Sequence, residues 1–249
     1  RIKIIHNPVS IGMEASTNLA LSLLRTTYIA IHDDDDTWSP DYLNIAVNEI
    51  KNIRKNLPNV VAVIAMANAV FERLDGQNVF LDRIEPYKEK LNFGLVPFDA
   101  MLIENQFAPI QMLFCREILN EIGFYREDLP VLGDWEFNIR LMQRYDIYII
   151  PQVLAFYHHR LNDSSVYGNS IFASRSRHEL YCQLLKNEWL RLGFLSDKND
   201  FSLNSLGVIQ SLGRQIFLLH QDVERLKLEK KPIIIILNLL KRVMHFAQR

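Results

Sequence analysis

The sequence predicts an α/β fold: a mostly parallel sheet flanked by helices over residues 1–170, followed by a helical C-terminal extension over 171–249. Three observations carry this reading. Apolar, β-favouring runs at Tyr28 to Ile31, Asn59 to Ala67 and Ile110 to Phe114 have the pattern of strands buried on both faces. Segments with helical spacing of apolar residues separate them, as in βαβ units. Beyond Leu161 the character changes to a polar loop through Asn169 and then to long helical patterns.

Taken in order, Ile2, Ile4 and Ile5 suggest a strand, and Asn7-Pro8-Val9-Ser10 turns the chain. Gly12 to Arg25 is helix-forming, with Ala15, Leu19 and Leu23 on one face. With the Tyr28 strand these make a βαβ unit, which predicts a parallel pair with a right-handed crossover. Because Arg1 is not an initiator and Arg1 to Ile5 already reads as strand, the chain is expected to begin inside a longer sequence.

Ser39, Pro40 and Asp41 favour a helix start, and Leu43, Val47, Ile50 and Leu57 give that helix an apolar face ending near Pro58. Asn59 to Ala67 reads as a buried strand. The alternation of Val70, Glu72 and Leu74 into Asp75-Gly76, resuming at Val79 and Leu81, signals a hairpin. A short helix is expected from Asp99 to Glu104, a strand at Ile110 to Phe114, and a helix from Arg116 to Ile122 stopped by Gly123. Gly133 opens a helix through about Arg144 with Phe137 and Leu141 inward. Short apolar segments, Ile147 to Ile150 and Val153 to Tyr157, then surround Pro151. In the extension, a helix from about Ser174 to Leu192 precedes a near-heptad seam from Leu206 to Leu226, a candidate homodimer contact or a face docked on its own domain. Ile233 to Leu240 beside Lys241 and Arg242 suggests a peripheral membrane contact.

Composition narrows the functional classes. The 249 residues are 49% hydrophobic, enough for a sizeable core, and the net charge of -1 offers no basic field for nucleic acid. Two cysteines, Cys115 and Cys182, make no disulfide framework or zinc spacing. No apolar run reaches the ~20 residues of a membrane span, so a cytoplasmic protein, at most peripheral to the inner face of the membrane, is expected.

The chemistry concentrates after the Tyr28 strand, where His32 leads into four aspartates, Asp33 to Asp36, and then Thr37-Trp38. Two carboxylates ~4 Å apart repel by about 1 kcal/mol in water and about 4 kcal/mol in a partly buried site. The natural counter-charge is Mg²⁺ or Mn²⁺, hard cations that share carboxylate and phosphate oxygens. On an extended backbone Asp33 and Asp35 would point one way and converge on one ion, while Asp34 and Asp36 point the other. Downstream, His158 could complete a Mn²⁺ site and Arg160 could grip phosphate, with Leu161 to Asn169 as a lid. The plainer alternative for the acidic run is a solvated turn, and for Asp134 a helix cap.

These motifs resemble, in order, those of a family 2 glycosyltransferase of the GT-A fold, from Ile2 to about Ser170. Asn7, Gly12 and Asn18 are similar to the family's Asn-X-Gly-X-X-X-Ala-Arg-Asn segment, and Tyr28 to Trp38 to its Asp-X-Asp strand. Glu121 to Phe124 and Gly133 to Leu141 resemble its acceptor-side segment and the start of its catalytic helix. The resemblance implies inverting transfer of a sugar from a nucleotide diphosphate donor to an acceptor hydroxyl of a saccharide, lipid-linked or protein acceptor, in bacterial polysaccharide or glycoconjugate synthesis. It implies Asp134 as general base, Mn²⁺ or Mg²⁺ held by Asp33 and Asp35, and a donor site including Asn18, Asp33, Asp34 and Asp35, to which the residues' own chemistry adds His158 at the metal and Arg160 at the phosphate. Trp135 and Glu136 would stand on the acceptor side. Three departures stand out: Thr17 where the family often has Arg, Gly133 where it often has Glu, and no counterpart of the opening strand and helix bearing the nucleobase-reading Asp.

Two other readings remain open from the residues. Asp33-X-Asp35-X-Thr37 also matches the nucleophile motif of haloacid dehalogenase-like phosphatases. The chain could instead be an inactive scaffolding module that pairs through its C-terminal helices.

Overall fold

The computed structural model describes residues 2–75, 78–88, 91, 93–161 and 175–195, with the isolated helical positions 213, 216, 219, 221 and 223. The chain divides into two compact units, Arg1–Arg191 and Leu192–Arg249. This division lies downstream of the boundary expected near residue 170.

The first unit is organised on two 16-residue strands, β3 (Val60–Asp75) and β7 (Asp146–Leu161), paired in parallel from Val60↔Asp146 to Arg73↔Leu161. Val60 to Ala65 are all buried, as a strand covered on both faces requires. Ala65 pairs with Ile150 but Met66 with Val153, so Pro151 and Gln152 bulge out of the ladder. A proline, lacking an N–H, is tolerated there. The two segments expected around Pro151 are therefore one bulged strand.

Around this pair the sheet runs β1 (Tyr28–Ala30), β6 (Met112–Cys115), β3, β7, β2 (Thr37–Trp38), with β4 (Asn78–Tyr87) on β3 and β5 (Gly94–Leu95) on β7. The α/β class and the β3–β4 hairpin hold, but the mostly parallel sheet does not: every pairing except β3 with β7 is antiparallel. Nor does Ile2 to Ile5 form a strand. Ile2 and Ile4 are 94% and 72% exposed, and no described strand pairs with them, so the expected βαβ unit is absent. Since β6 runs against both β1 and β3, those two share a direction with β7. Their carboxyl ends thus lie on one side of the sheet, the side where open α/β sheets bind ligands.

Helices α1 (Met13–Leu23), α2 (Tyr42–Ile53), α3 (Phe98–Ile103), α4 (Leu119–Ile122), α5 (Gly133–Met142) and α6 (Arg175–Leu195) pack around this frame. Gly123, at φ 78, ends α4 as expected. The expected inward faces of α1 and α2 are corrected. Leu19 and Leu23 are 43% and 46% exposed while α1 buries Glu14, Asn18 and Leu21; α2 buries Tyr42, Ala46 and Ile50 and leaves Leu43 exposed. The reason for α1 is polar: its inner face meets residues 125–134 rather than an apolar layer.

Helix α5 is almost wholly buried. Phe137 stacks on Tyr125, with centroids 4.5 Å apart, and tilts against Phe114. Up to Arg191 helix α6 belongs to the first unit, where Trp189 sits edge-on to Trp135, Lys186 Nζ donates to Ile103 O, and Glu188 pairs with Arg126. In the seam from Leu206 to Leu226, the described positions Ile216, Leu219 and Val223 are helical and exposed; the rest of it, residues 233–240 and the 162–169 lid lie outside the described residues. No described helix is long and apolar enough to cross a membrane.

Phe137 is fully buried between Tyr125 and Phe114. Phe137→Ala is expected to cost about 3–5 kcal/mol in a denaturant titration, from lost transfer energy and the cavity left behind. A cost under about 1 kcal/mol would mean that this contact does not hold α5 to the sheet.

Candidate active site

Because β1 and β2 sit at opposite ends of the strand order, residues 31–36 must carry the chain across the sheet. They do so in a turn, with Asp36 N–H donating to Asp33 O at 3.3 Å, so the strict alternation expected of an extended strand does not apply. Trp38 anchors the far end: its Nε1 donates to Ile110 O at 2.7 Å and its ring stacks on Tyr42.

The turn sorts the four aspartates by burial. Asp34 is exposed, Asp33 and Asp35 are half-buried, and Asp36 is buried, accepting the His158 backbone N–H on Oδ1 at 2.8 Å. Asp36 Oδ2 is buried without a described partner. Burial, opposed by the His158 N–H and reinforced by Asp35 and Asp33, pushes the Asp36 carboxyl up to about 7. Burial, followed by Asp35 and Asp34, raises Asp33 as well. No ion pair among the described residues involves these four carboxylates.

Asp33 and Asp134, a hundred residues apart in sequence, line one pocket, with Glu14 and Thr17 from α1, Tyr125, and the apolar Met13, Ile31 and Pro109. Asp134 stands in the first turn of α5, just after Leu132, which is held at φ 65. A bulky residue in the left-handed region is strained, and such strain concentrates at functional sites. Asn105 Nδ2 donates to Asp134 Oδ2 at 2.7 Å, and Asn138 Nδ2 donates to Asn105 Oδ1 at 3.3 Å. Burial raises the Asp134 carboxyl; the Trp135 N–H and Asn105 favour its charged form, and Asp33 opposes it. The net direction is upward, toward a carboxylate basic enough to take a proton.

The other anticipated residues are not among those lining this pocket. Asn18 spends its amide on the loop before α5: Nδ2 donates to Tyr125 O and Glu127 Oε1, both at 2.9 Å, and Oδ1 accepts from Tyr125 N. It clamps that loop. Trp135, 2% exposed, donates from Nε1 to Met101 O. Glu136, 3% exposed, is bidentate with Arg140, which also binds the carbonyls of Ile122 and Phe124. Each step along α5 rotates by about 100°, so these two side chains turn away from the pocket that Asp134 lines, and neither is open to an acceptor. His158 Nδ1 lies 2.9 Å from Glu72 Oε1 and Nε2 lies 3.0 Å from Thr37 Oγ1. Arg160 lies two residues along β7, opposite Glu72. Among the described residues no cluster of three or more acidic, His or Cys side chains is arranged to hold a metal.

Two site residues escaped the sequence. Glu14 sits on a helix face judged by its leucines, and Asn105 lies in an irregular stretch with no motif. The one available signal for Glu14 was its i, i+4 spacing with Asn18, which puts both on one face.

An α/β sheet with carboxylates from separate segments meeting beyond its strand ends fits the build of a group-transfer enzyme. Residues 1–122, just under half the chain and including Asp33 and Asp35, match the family described as Glycosyl transferase family 2. Asp134, His158 and Arg160 lie beyond the matched residues. A curated relative, "Uncharacterized glycosyltransferase YwdF" of Bacillus subtilis (strain 168), is 23% identical over 157 residues, 63% of this chain and 54% of that protein. Among solved structures, S. aureus TarS 1-349 in complex with UDP-GlcNAc is 15% identical over 79% of this chain and 51% of that chain, with a TM-score of 0.49. Its complex with UDP is 16% identical over 59% and 40%, with a TM-score of 0.42. The chain spans about half the length of the curated relative it matches. The phosphatase reading is set aside, since its motif lies inside the matched residues.

The Asp36 shift predicts a pH dependence of stability. Between about pH 4, the ordinary carboxylate range, and pH 7 the folded chain holds a proton that the unfolded chain has released, so stability falls as pH rises through that window. The loss is up to about 4 kcal/mol. In EDTA, Asp36→Asn, which can keep an acceptor for the His158 N–H, is expected to remove most of this slope and to melt higher than wild type at pH 7.5. Identical pH profiles would contradict the burial of this carboxyl.

Proposed function

We propose that this domain transfers a sugar from a nucleotide diphosphate donor to an acceptor hydroxyl with inversion at the anomeric carbon. The observation that carries the reading is the meeting of Asp33 and Asp134 in one pocket beside a helix start. In a single displacement the acceptor oxygen bonds to the anomeric carbon as the bond to the diphosphate breaks, and Asp134 takes the hydroxyl proton. Asn105 and the Trp135 N–H orient the carboxylate for that task. Base catalysis of this kind is typically worth 10² to 10⁴ in rate.

The donor set fits a hard divalent cation. Asp33 and Asp35 are half-buried, form no ion pair among the described residues, and neighbour Asp36, whose buried Oδ2 has no described partner. Mg²⁺ and Mn²⁺ bind through one or two carboxylates plus substrate phosphates. Asp33 and Asp35 would hold the ion. His158, oriented by Glu72, would offer Nε2 once the Thr37 hydroxyl turns away. When bound, the ion would stabilise negative charge on the leaving nucleoside diphosphate. Arg160, near the carboxyl end of β7, is the proposed phosphate contact. Assembly of a bacterial surface polysaccharide or glycoconjugate, at the cytoplasmic face of the membrane, is the setting that the family resemblance favours.

The test is a panel of nucleotide sugars with Mn²⁺ on the full reading frame, with product stereochemistry read by NMR. Asp134→Asn is expected to lower turnover by about 10² to 10⁴. Asp35→Ala is expected to lower it as well, and EDTA to abolish transfer until Mn²⁺ is restored. Turnover equal to wild type in both variants would overturn the site assignment, and retained anomeric configuration would overturn the single displacement.

A further inference from the structure

A row of aromatic side chains beside the pocket has no part in the proposed reaction. One rung of the sheet joins Trp38 of β2, Ala155 of β7, Ala67 of β3 and Tyr87 of β4. The two alanines leave room for Ala108 and Ile110 to close over them in a buried cluster, and Trp38, Tyr87 and Tyr157 pack against it. Pro109, between Ala108 and Ile110, lines the pocket with Asp33 and Asp134. The rings therefore adjoin the pocket.

From that rung the alternation of side chains keeps one face of the sheet. Ala69 pairs with both Glu85 and Tyr157, and Phe71 with both Arg83 and His159. The rings on this face touch in sequence: Tyr87 and Tyr157 have centroids 5.3 Å apart, Tyr157 and His159 4.4 Å, and His159 and Phe71 5.0 Å. The Arg83 guanidinium lies 3.8 Å over Phe71, held there by Asp82 and Glu85. At a rise of ~3.3 Å per residue, the strip from the Ala67 rung to the Phe71 rung is about 13 Å long. Tyr87, Tyr157 and Phe71 are half-buried, so part of each stays at the surface.

The strip is tied to Asp134. Lys88, next to Tyr87, is held at φ 53, a left-handed backbone that, like that of Leu132, is strained for a residue other than glycine. Its Nζ lies 3.0 Å from Glu104 Oε2, and the following residue, Asn105, donates to Asp134. Burial, and then the charges of Asp134, Glu104 and Asp36, keep the Tyr87 phenol protonated and able to donate a hydrogen bond.

The chemistry of the strip selects its occupant. Aromatic faces edged by phenol hydroxyls, with the Asp82, Arg83 and Glu85 cluster at the far end, alternate apolar and hydrogen-bonding surface. A sugar ring has the matching build, with apolar C–H faces and a rim of hydroxyls. A lipid surface would need aliphatic side chains turned the same way, but the exposed Val79, Leu81 and Ile84 pair with Leu74, Glu72 and Val70 and point to the opposite face.

We propose that Tyr87, Tyr157 and Phe71 bind the acceptor as a glycan chain: its terminal sugar stacks on Tyr87 beside the pocket, with its hydroxyl turned toward Asp134, and the sugars behind it lie along Tyr157 and Phe71. The proposal rests on the transfer reading only in naming the bound glycan the acceptor, since the binding itself needs neither donor nor metal. The full chain, ¹³C-labelled in its tyrosine rings, is titrated in EDTA with glucose, N-acetylglucosamine and mannose, with cellohexaose, chitohexaose and mannohexaose, and with UMP and dodecylphosphocholine as controls. At least one hexasaccharide is expected to shift the Tyr87 and Tyr157 resonances saturably and to bind more tightly than its monosaccharide. Tyr157→Leu is expected to weaken that binding about 3- to 10-fold, the range an aromatic contact contributes, and Tyr157→Phe to restore most of it. Phe71→Leu, at the far end, is expected to weaken the hexasaccharide more than the monosaccharide, a difference that a folding defect would not produce. No response to any hexasaccharide, an equal loss in Tyr157→Leu and Tyr157→Phe, or a response confined to UMP or the detergent overturns the proposal.

In transfer assays Tyr157→Leu is expected to raise the acceptor KM several-fold with a much smaller change in kcat. An acceptor KM equal to wild type, with transfer still lost in Asp134→Asn, overturns the strip and leaves the base assignment standing. Hexasaccharide binding weakened in Tyr157→Leu, with transfer untouched by Asp134→Asn, refutes the base assignment and leaves the glycan strip standing.

Discussion

The parallel pairing of β3 with β7 is the constraint on which the rest of the structure depends. It begins where the Asp146 N–H bonds Asn59 O and runs the full length of both strands. Through β6 it also fixes the direction of β1, although β1 pairs with neither long strand. The three strands that share a direction then deliver, at their carboxyl ends, the acidic turn after β1, Glu72 of β3, and the His158 to Arg160 end of β7. A mostly antiparallel sheet thus builds a site on one side with only one parallel pair. Slipping β7 by one residue against β3 would reverse the face of every side chain in the second half and part His158 from Glu72.

The pocket gathers like charges, which is unfavourable by itself. Glu14, Asp33 and Asp134 all lose hydration there, and burial is the first cause of the upward shift of each carboxyl. The surroundings must overcome that cost, and they are rigid. Trp38 ties the acidic turn to Ile110 and Tyr42, Asn18 fixes the loop at Tyr125 and Glu127, and Arg140 binds α5 to the carbonyls before it. The left-handed Leu132 belongs to the same arrangement: its strain turns the chain so that α5 starts at Gly133, beneath Glu14, with Asp134 next in line.

What the sequence made legible follows from where the energy lies. The apolar runs identified β1, β3 and β6 and the hairpin after β3, because strands buried on both faces must be apolar whatever their partners. Strand direction was not legible, because nothing in a buried run distinguishes parallel from antiparallel neighbours. The acidic turn was found by charge density, yet its turn geometry depends on the distance from β1 to β2 across the sheet, which no local pattern encodes. On α1 the leucine spacing pointed to the wrong face, since Glu14 and Asn18 are buried by polar contacts with residues distant in sequence. Trp135 and Glu136 were drawn to the site by adjacency to Asp134, and adjacency is a poor guide on a helix.

That last point has a consequence for how the pocket is assembled. A helix turns about 100° per residue, so the residue of α5 that returns to the Asp134 face is four positions on. It is Asn138, which bonds Asn105, which bonds Asp134. Helix α5 therefore contributes one reactive group and its indirect support, and the remaining groups around that carboxylate must come from other segments. They come from α1, the acidic turn and Asn105, all within the family-matched residues, and from Tyr125, which like Asp134 lies outside them. The pocket is a junction between two parts of the chain, and the volume that Gly133 leaves to Glu14 is one of the points where the two touch.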